Sequence, residues 1–101
     1  MSGVNNPYRY QYETVAASQT AQVLGGTGAV GDYLHRVIVT VNTALTGTVS
    51  LVDGSTSISL VPASIAVGTY SIPVEAASQT GAWKITTGAG ATVIAVGIFS
   101  A

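Results

Sequence analysis

Hydrophobic and polar residues alternate along much of this chain with the period of a strand. Residues 33–41 carry the clearest example. Tyr33, His35, Val37, Val39 and Val41 fall on one face, and Leu34, Arg36, Ile38 and Thr40 on the other. Residues 48–52 and 55–60 flank Asp53-Gly54. That pair predicts a tight hairpin of type I′, because the turn needs positive φ at both central residues. In its second arm Ser55, Ser57 and Ser59 oppose Thr56, Ile58 and Leu60, so one face is wet. Residues 68–74 align Tyr70, Ile72 and Val74. Pro73 has no N–H to give a ladder and predicts an edge or a strand end. Residues 82–87 turn Trp83 and Ile85 inward and Lys84 outward. Residues 92–99 are apolar on both faces, Ile94, Val96 and Ile98 against Val93, Ala95 and Phe99. Such a strand belongs in the middle of a sandwich or at a subunit interface. A weaker strand candidate covers residues 16–24.

A glycine-rich loop at 25–31, a turn at 42–46, a loop at 61–67 and a turn at 88–91 separate these runs. No window shows a 3.6-residue period with caps. Seven or eight short strands, with turn signals every eight to twelve residues, predict an all-β fold. The expected form is a small antiparallel β-sandwich or jelly roll over residues 15–101.

Residues 1–14 read as an extended N-terminal arm. Tyr8, Tyr10 and Tyr12 alternate with polar residues, which puts three rings on one face of an extended segment. Such a segment is either an edge strand on its own sheet or an arm lying on a neighbouring subunit. On the second reading Tyr8, Arg9, Tyr10 and Tyr12 are the partner-binding residues. The pentapeptide Ala-Ala-Ser-Gln-Thr occurs at 16–20 and again at 76–80. One echo is no repeat array; it marks either two equivalent corners of a pseudo-symmetric sandwich or chance.

Composition narrows the function. Charged residues make up 7% of the 101 residues, against about 25% in ordinary globular chains. Thirteen Thr and ten Ser carry most of the polarity. A net charge of −1 offers no footprint for nucleic acid or an anionic membrane. The absence of Cys excludes disulfides, thiolate chemistry and Cys-ligated metals. The longest apolar run, residues 91–99, is too short to span a bilayer as a helix.

Candidate chemistry is sparse. Gly26-x-Gly28-x-x-Gly31, with Asp53 22 residues beyond the last glycine, matches a dinucleotide fingerprint. That fingerprint needs a helix opening at the glycines, and a strand follows here. His35 is the single histidine and sits mid-strand, where a packed or interface role is the simpler reading. Glu13, Asp32, Asp53 and Glu75 form no evident acid–base pair, and one His with scattered carboxylates is a poor ligand set. No catalytic, cofactor or metal residue is assigned, and no enzyme is expected. Trp83 with the tyrosines can form a sugar-stacking platform, although its phase with Ile85 predicts a core position. Few charges guard the strand edges, so covering by other subunits is expected, with Val93, Ala95 and Phe99 as interface candidates.

The run Val-Ser-Leu-Val-Asp-Gly-Ser-Thr-Ser-Ile-Ser-Leu, then Pro62-Ala63-Ser64, Gly68-Thr69-Tyr70, Trp83-Lys84-Ile85-Thr86-Thr87-Gly88 and Thr92-Val93-Ile94-Ala95-Val96, resembles small β-sandwich virion proteins of tailed bacteriophages. Capsid decoration (cement) proteins are among them. The resemblance covers roughly residues 33–99. It implies a non-enzymatic homo-oligomer, often a trimer, that sits on the phage head and bridges major capsid subunits after assembly in the host cytoplasm. It implies no cofactor. The alternatives are a receptor- or carbohydrate-binding module of a tail or adhesin, and a head–tail connector or tail component.

Overall fold

A computed structural model describes residues 10–100. Eight strands form two antiparallel four-stranded sheets, and no helix occurs among the described residues. The strands are β1 (Gln11–Val15), β2 (Gln22–Val23), β3 (Tyr33–Val41), β4 (Val49–Asp53), β5 (Thr56–Val61), β6 (Gly68–Ala77), β7 (Trp83–Thr86) and β8 (Ala91–Ile98). Sheet A has the order β1-β8-β3-β6 and sheet B the order β2-β7-β4-β5. The pairs β1–β8, β2–β7, β3–β6 and β4–β5 are those of one long hairpin folded at β4–β5 and wrapped into two layers. This is the strand order of a jelly roll, an all-β sandwich as expected from the alternation.

The core lies between the sheets. Sheet A contributes Val15, Leu34, Val37, Val39, Val41, Ala91, Val93 and Ala95; sheet B contributes Val49, Leu51, Val61, Trp83 and Ile85. Leu24, Leu45 and Phe99 complete it, and Tyr70, Ile72 and Val74 of the edge strand β6 pack against it. Each large side chain buried this way stabilises the fold by about 1.5–3 kcal/mol.

β3 departs from simple alternation. Against β8, Leu34 pairs with Gly97 and Arg36 with Val96, so His35 is an extra residue. Against β6, Leu34 pairs with Ala76 and Arg36 with Pro73, so Val74 and Glu75 together face His35. Glu75 takes a left-handed φ of 55° there. The bulge shifts the phase of the strand. Leu34 joins Val37, Val39 and Val41 in the core, while Tyr33 and His35, expected on the same face as those valines, are only half-buried.

The hairpin is also shifted. Asp53 pairs with Thr56, so the two turn residues are Gly54 and Ser55 rather than Asp53 and Gly54. Only Gly54 has positive φ, 61°, which is the pattern of a type II′ turn. Asp53 instead ends β4, buried, with its carboxylate free for another task.

The two copies of Ala-Ala-Ser-Gln-Thr take corresponding places. The first lies on the path from β1 in sheet A to β2 in sheet B, the second on the path from β6 in sheet A to β7 in sheet B. β1 and β6 are the two edges of sheet A and run in opposite directions, so the crossings lie at opposite ends.

Candidate functional site

The outer faces of the two sheets differ in chemistry. Outside the core, sheet B shows Ser50, Val52, Ser57, Ser59, Lys84 and Thr86. This is a wetted surface, as the serines predicted. Sheet A is graded along its strands. A threonine row, Thr92, Thr40 and Thr69, crosses one end. Next come Thr14, Ile94, Ile38 and Ser71 in register. Tyr12 and Val96 follow, then Tyr10, Ile98 and Tyr33 at the far end. Tyr12 is 73% exposed, Tyr10 53% and Ile94 38%. Tyr10, Gln11, Tyr12, Ile94 and Val96 line an open groove of about 440 Å3. Exposed apolar groups gathered around a groove make this face the candidate site.

The aromatic end is ordered by stacking. Tyr10 lies over His35 with ring centroids 4.6 Å apart and planes at 17°, and 6.1 Å from Tyr33. Burial pushes the Tyr33 hydroxyl pKa up, and the neighbouring Tyr10 and Glu75 add to that shift. Arg36 donates to the Ser71 hydroxyl across to β6, which keeps its guanidinium beside the apolar rows.

Three of the four carboxylates are occupied with backbone amides. Glu13 accepts from the Gly25 N–H at 2.7 Å and from the Gln22 side-chain amide at 3.0 Å. Asp32 accepts from the Ala29 N–H at 3.1 Å, the Ser100 N–H at 2.9 Å and the Ser100 hydroxyl at 2.7 Å, which ties the chain end to the glycine-rich loop. Asp53 accepts N–H groups from Gln79, Thr80 and Gly81 at 2.9, 3.0 and 3.0 Å, and the Thr80 hydroxyl at 3.2 Å. The amides of Gln79 and Thr80 hold the Asp53 carboxyl below the usual aspartate value, against a smaller opposing effect of burial. These acids clip loops together. The glycine-rich loop leads into strand β3, not a helix, so the dinucleotide fingerprint has no anion site to offer.

The expected site residues divide. Tyr8 and Arg9 lie outside the described residues. Tyr10 and Tyr12 are exposed on the apolar face, and residues 11–15 form strand β1 paired with β8. Val93, Ala95 and Phe99, expected at a subunit interface, are instead 1%, 0% and 7% exposed inside the chain's own core. The outward face of β8 is the other one, Ile94, Val96 and Ile98. The inward set is the smaller: it includes Ala91, Ala95 and Gly97, and a Cβ added at Gly97 would run into the Tyr33 carbonyl oxygen and come within 2.9 Å of the Phe99 ring. Trp83 is 3% exposed in the core and is not available to stack on a ligand. Sequence reasoning missed Ile38, Ile94, Val96 and Ile98 as the apolar part of the outer face of sheet A; the signal present was the second apolar face of residues 92–99.

Comparison with protein families, with curated proteins and with solved structures finds no match in any of the three.

Proposed function

We propose that this protein is a non-enzymatic structural component of a tailed-phage virion, most simply a capsid decoration (cement) protein. It self-associates and bridges major capsid subunits on the head surface, docking through the outer face of sheet A. The observation that carries this reading is the contrast between the two outer faces. One is chiefly Ser, Thr and Lys, with Val52 among them; the other is a band of Tyr10, Tyr12, Ile38, Ile94, Val96 and Ile98 around a groove, with Arg36 beside Val96. Burying apolar area contributes about 25 cal/mol per Å2, and many copies on a shell add their modest individual contacts through avidity. The engagement of Glu13, Asp32 and Asp53 with backbone amides supports a structural role over acid–base chemistry.

The test is co-sedimentation of the purified protein with accessory-stripped heads of the phage whose genome encodes it, beside isolated tails. Saturable binding to heads, and a raised melting temperature of the shell, are the expected results. Binding to tails alone moves the protein to the tail, and absence from purified virions by mass spectrometry overturns the virion role.

A second reading rests on the groove itself. Tyr12 and Gln11 beside Ile94 and Val96 offer a ring, an amide and an apolar wall, a combination that suits a sugar ring. Chemical-shift changes at Tyr12 on titration with a saccharide panel would favour it over shell docking.

A further inference from the structure

The four outer edges of the two sheets are protected unequally. β6 carries Pro73 and the left-handed Glu75 of the bulge. β2 is two residues long. β5 is bulged at Leu60, where Val49 pairs with Val61 and Ser50 with Ser59. β1 has no proline, bulge or left-handed residue; the Gln22 side-chain amide donates to its Thr14 carbonyl at 3.4 Å, which leaves that oxygen a second lone pair. Its five residues pair with β8 in unbroken register and contain neither Pro nor Lys. Its one charge, Glu13, is drawn toward Gly25 and Gln22. An edge without proline, bulge or lysine is a template for another strand.

We propose that the outer edge of β1 is a two-fold seam, pairing antiparallel with β1 of a second copy of this chain and joining two sheets A into one continuous sheet. The occupant is a second copy because the edge complements itself. With Tyr12 on the two-fold axis, Tyr12 meets the partner's Tyr12, Tyr10 falls opposite the partner's Thr14, and Gln11 opposite the partner's Glu13. No like charges meet. The Gln11 side-chain oxygen already accepts from the Phe99 N–H, which leaves its NH2 group to donate toward a carboxylate. Aromatic pairs and opposed polar pairs are the combinations that stabilise neighbouring strands. The seam also extends the apolar band across both copies, since Tyr10, Tyr12 and Thr14 share a face with Ile94 and Val96. A closed two-fold contact of this kind is isologous and does not propagate into fibres. The seam is independent of shell docking, and its tests need no shell.

The chain has no cysteine, so single cysteines report the seam directly. Tyr12→Cys is compared with Ser57→Cys, on the polar outer face of sheet B, by mild oxidation and non-reducing electrophoresis. Tyr12→Cys is expected to collect as a linked dimer at least about tenfold faster, because directly opposed residues bring their Cβ atoms within about 5.5 Å. Light scattering of the unmodified protein should rise from one chain toward two with concentration. Tyr12→Lys, at a site 73% exposed, should remain folded by circular dichroism and raise the half-association concentration about tenfold or more. Equal cross-linking of the two cysteine variants, a monomer at every concentration, or a larger particle indifferent to Tyr12→Lys overturns the seam.

Discussion

The Tyr10 ring lies flat on the His35 imidazole, 4.6 Å away, and covers the extra residue of the β3 bulge. The His35 Nδ1 beneath is buried, with no hydrogen-bond partner among the described residues. The first described residue of the chain is thereby fastened to the middle of sheet A, which orders the aromatic end of the apolar face. Tyr10→Ala should remove about 1 kcal/mol of stability, the usual value of a stacked aromatic pair. It should also open His35 to solvent. Faster acylation of His35 by diethyl pyrocarbonate than in the unmodified protein is the expected readout; an unchanged rate would show that Tyr10 does not cover the ring in solution.

Acid should loosen the clip at Asp53. Its carboxyl titrates below the ordinary aspartate value of 3.8 because the Gln79 and Thr80 amides stabilise the anion in the folded state. A depressed folded pKa means that the folded state holds its proton less tightly than the unfolded chain. The stabilisation is therefore present above the unfolded value and is lost as pH falls from about 4 through the lower folded value. Thermal melts from pH 6 to pH 2 should show the melting temperature falling across that window. Asp53→Asn should flatten the fall while lowering the melting temperature at neutral pH.

Gly54 admits no side chain. Its φ is 61°, and an added Cβ would run into the Thr80 side chain, whose hydroxyl donates to the Asp53 carbonyl at 3.0 Å. Gly54→Ala combines left-handed strain with that clash and should cost more than about 1 kcal/mol. The measurement is chemical denaturation at neutral pH. Gly47→Ala, where an added Cβ meets nothing within 4 Å, is the control and should stay within about 0.5 kcal/mol.

Adjacent residues of β8 should behave oppositely. Val93→Asp places an unpaired carboxylate in the core and should prevent folding, as judged by loss of the β circular-dichroism spectrum. Ile94→Asp changes a residue 38% exposed on the outer face. It should leave the melting temperature within a few degrees, since surface substitutions usually stay near 0.5 kcal/mol. Its effect should fall on docking, with co-sedimentation on phage heads reduced about tenfold. Retained docking would remove the outer face of sheet A from the proposed role.

Much of the fold was legible because strands announce themselves by a period of two. The bounds of β3, the edge position given to Pro73, the inward Trp83 and the wet serine face of β5 all follow from alternation and from proline's missing N–H. A bulge adds a residue without changing composition, so strict alternation puts Tyr33 and His35 on the wrong face. The turn at Gly54-Ser55 depends on which residue closes the ladder, and Asp53-Gly54 satisfied the local rule equally well. In residues 92–99 both faces are apolar, so alternation cannot say which one meets the opposing sheet.

By itself the sequence determined an all-β sandwich, the poverty of charge and the placing of Trp83 in the core, because hydropathy period and residue chemistry are local properties. Which apolar face of β8 turns outward, that Asp53 clips residues 79–81, and that β1 is an outer strand of sheet A were decided by tertiary structure alone. Each depends on residues far apart in the chain meeting in space. Strand order, register and bulges set those meetings, and no local pattern encodes them.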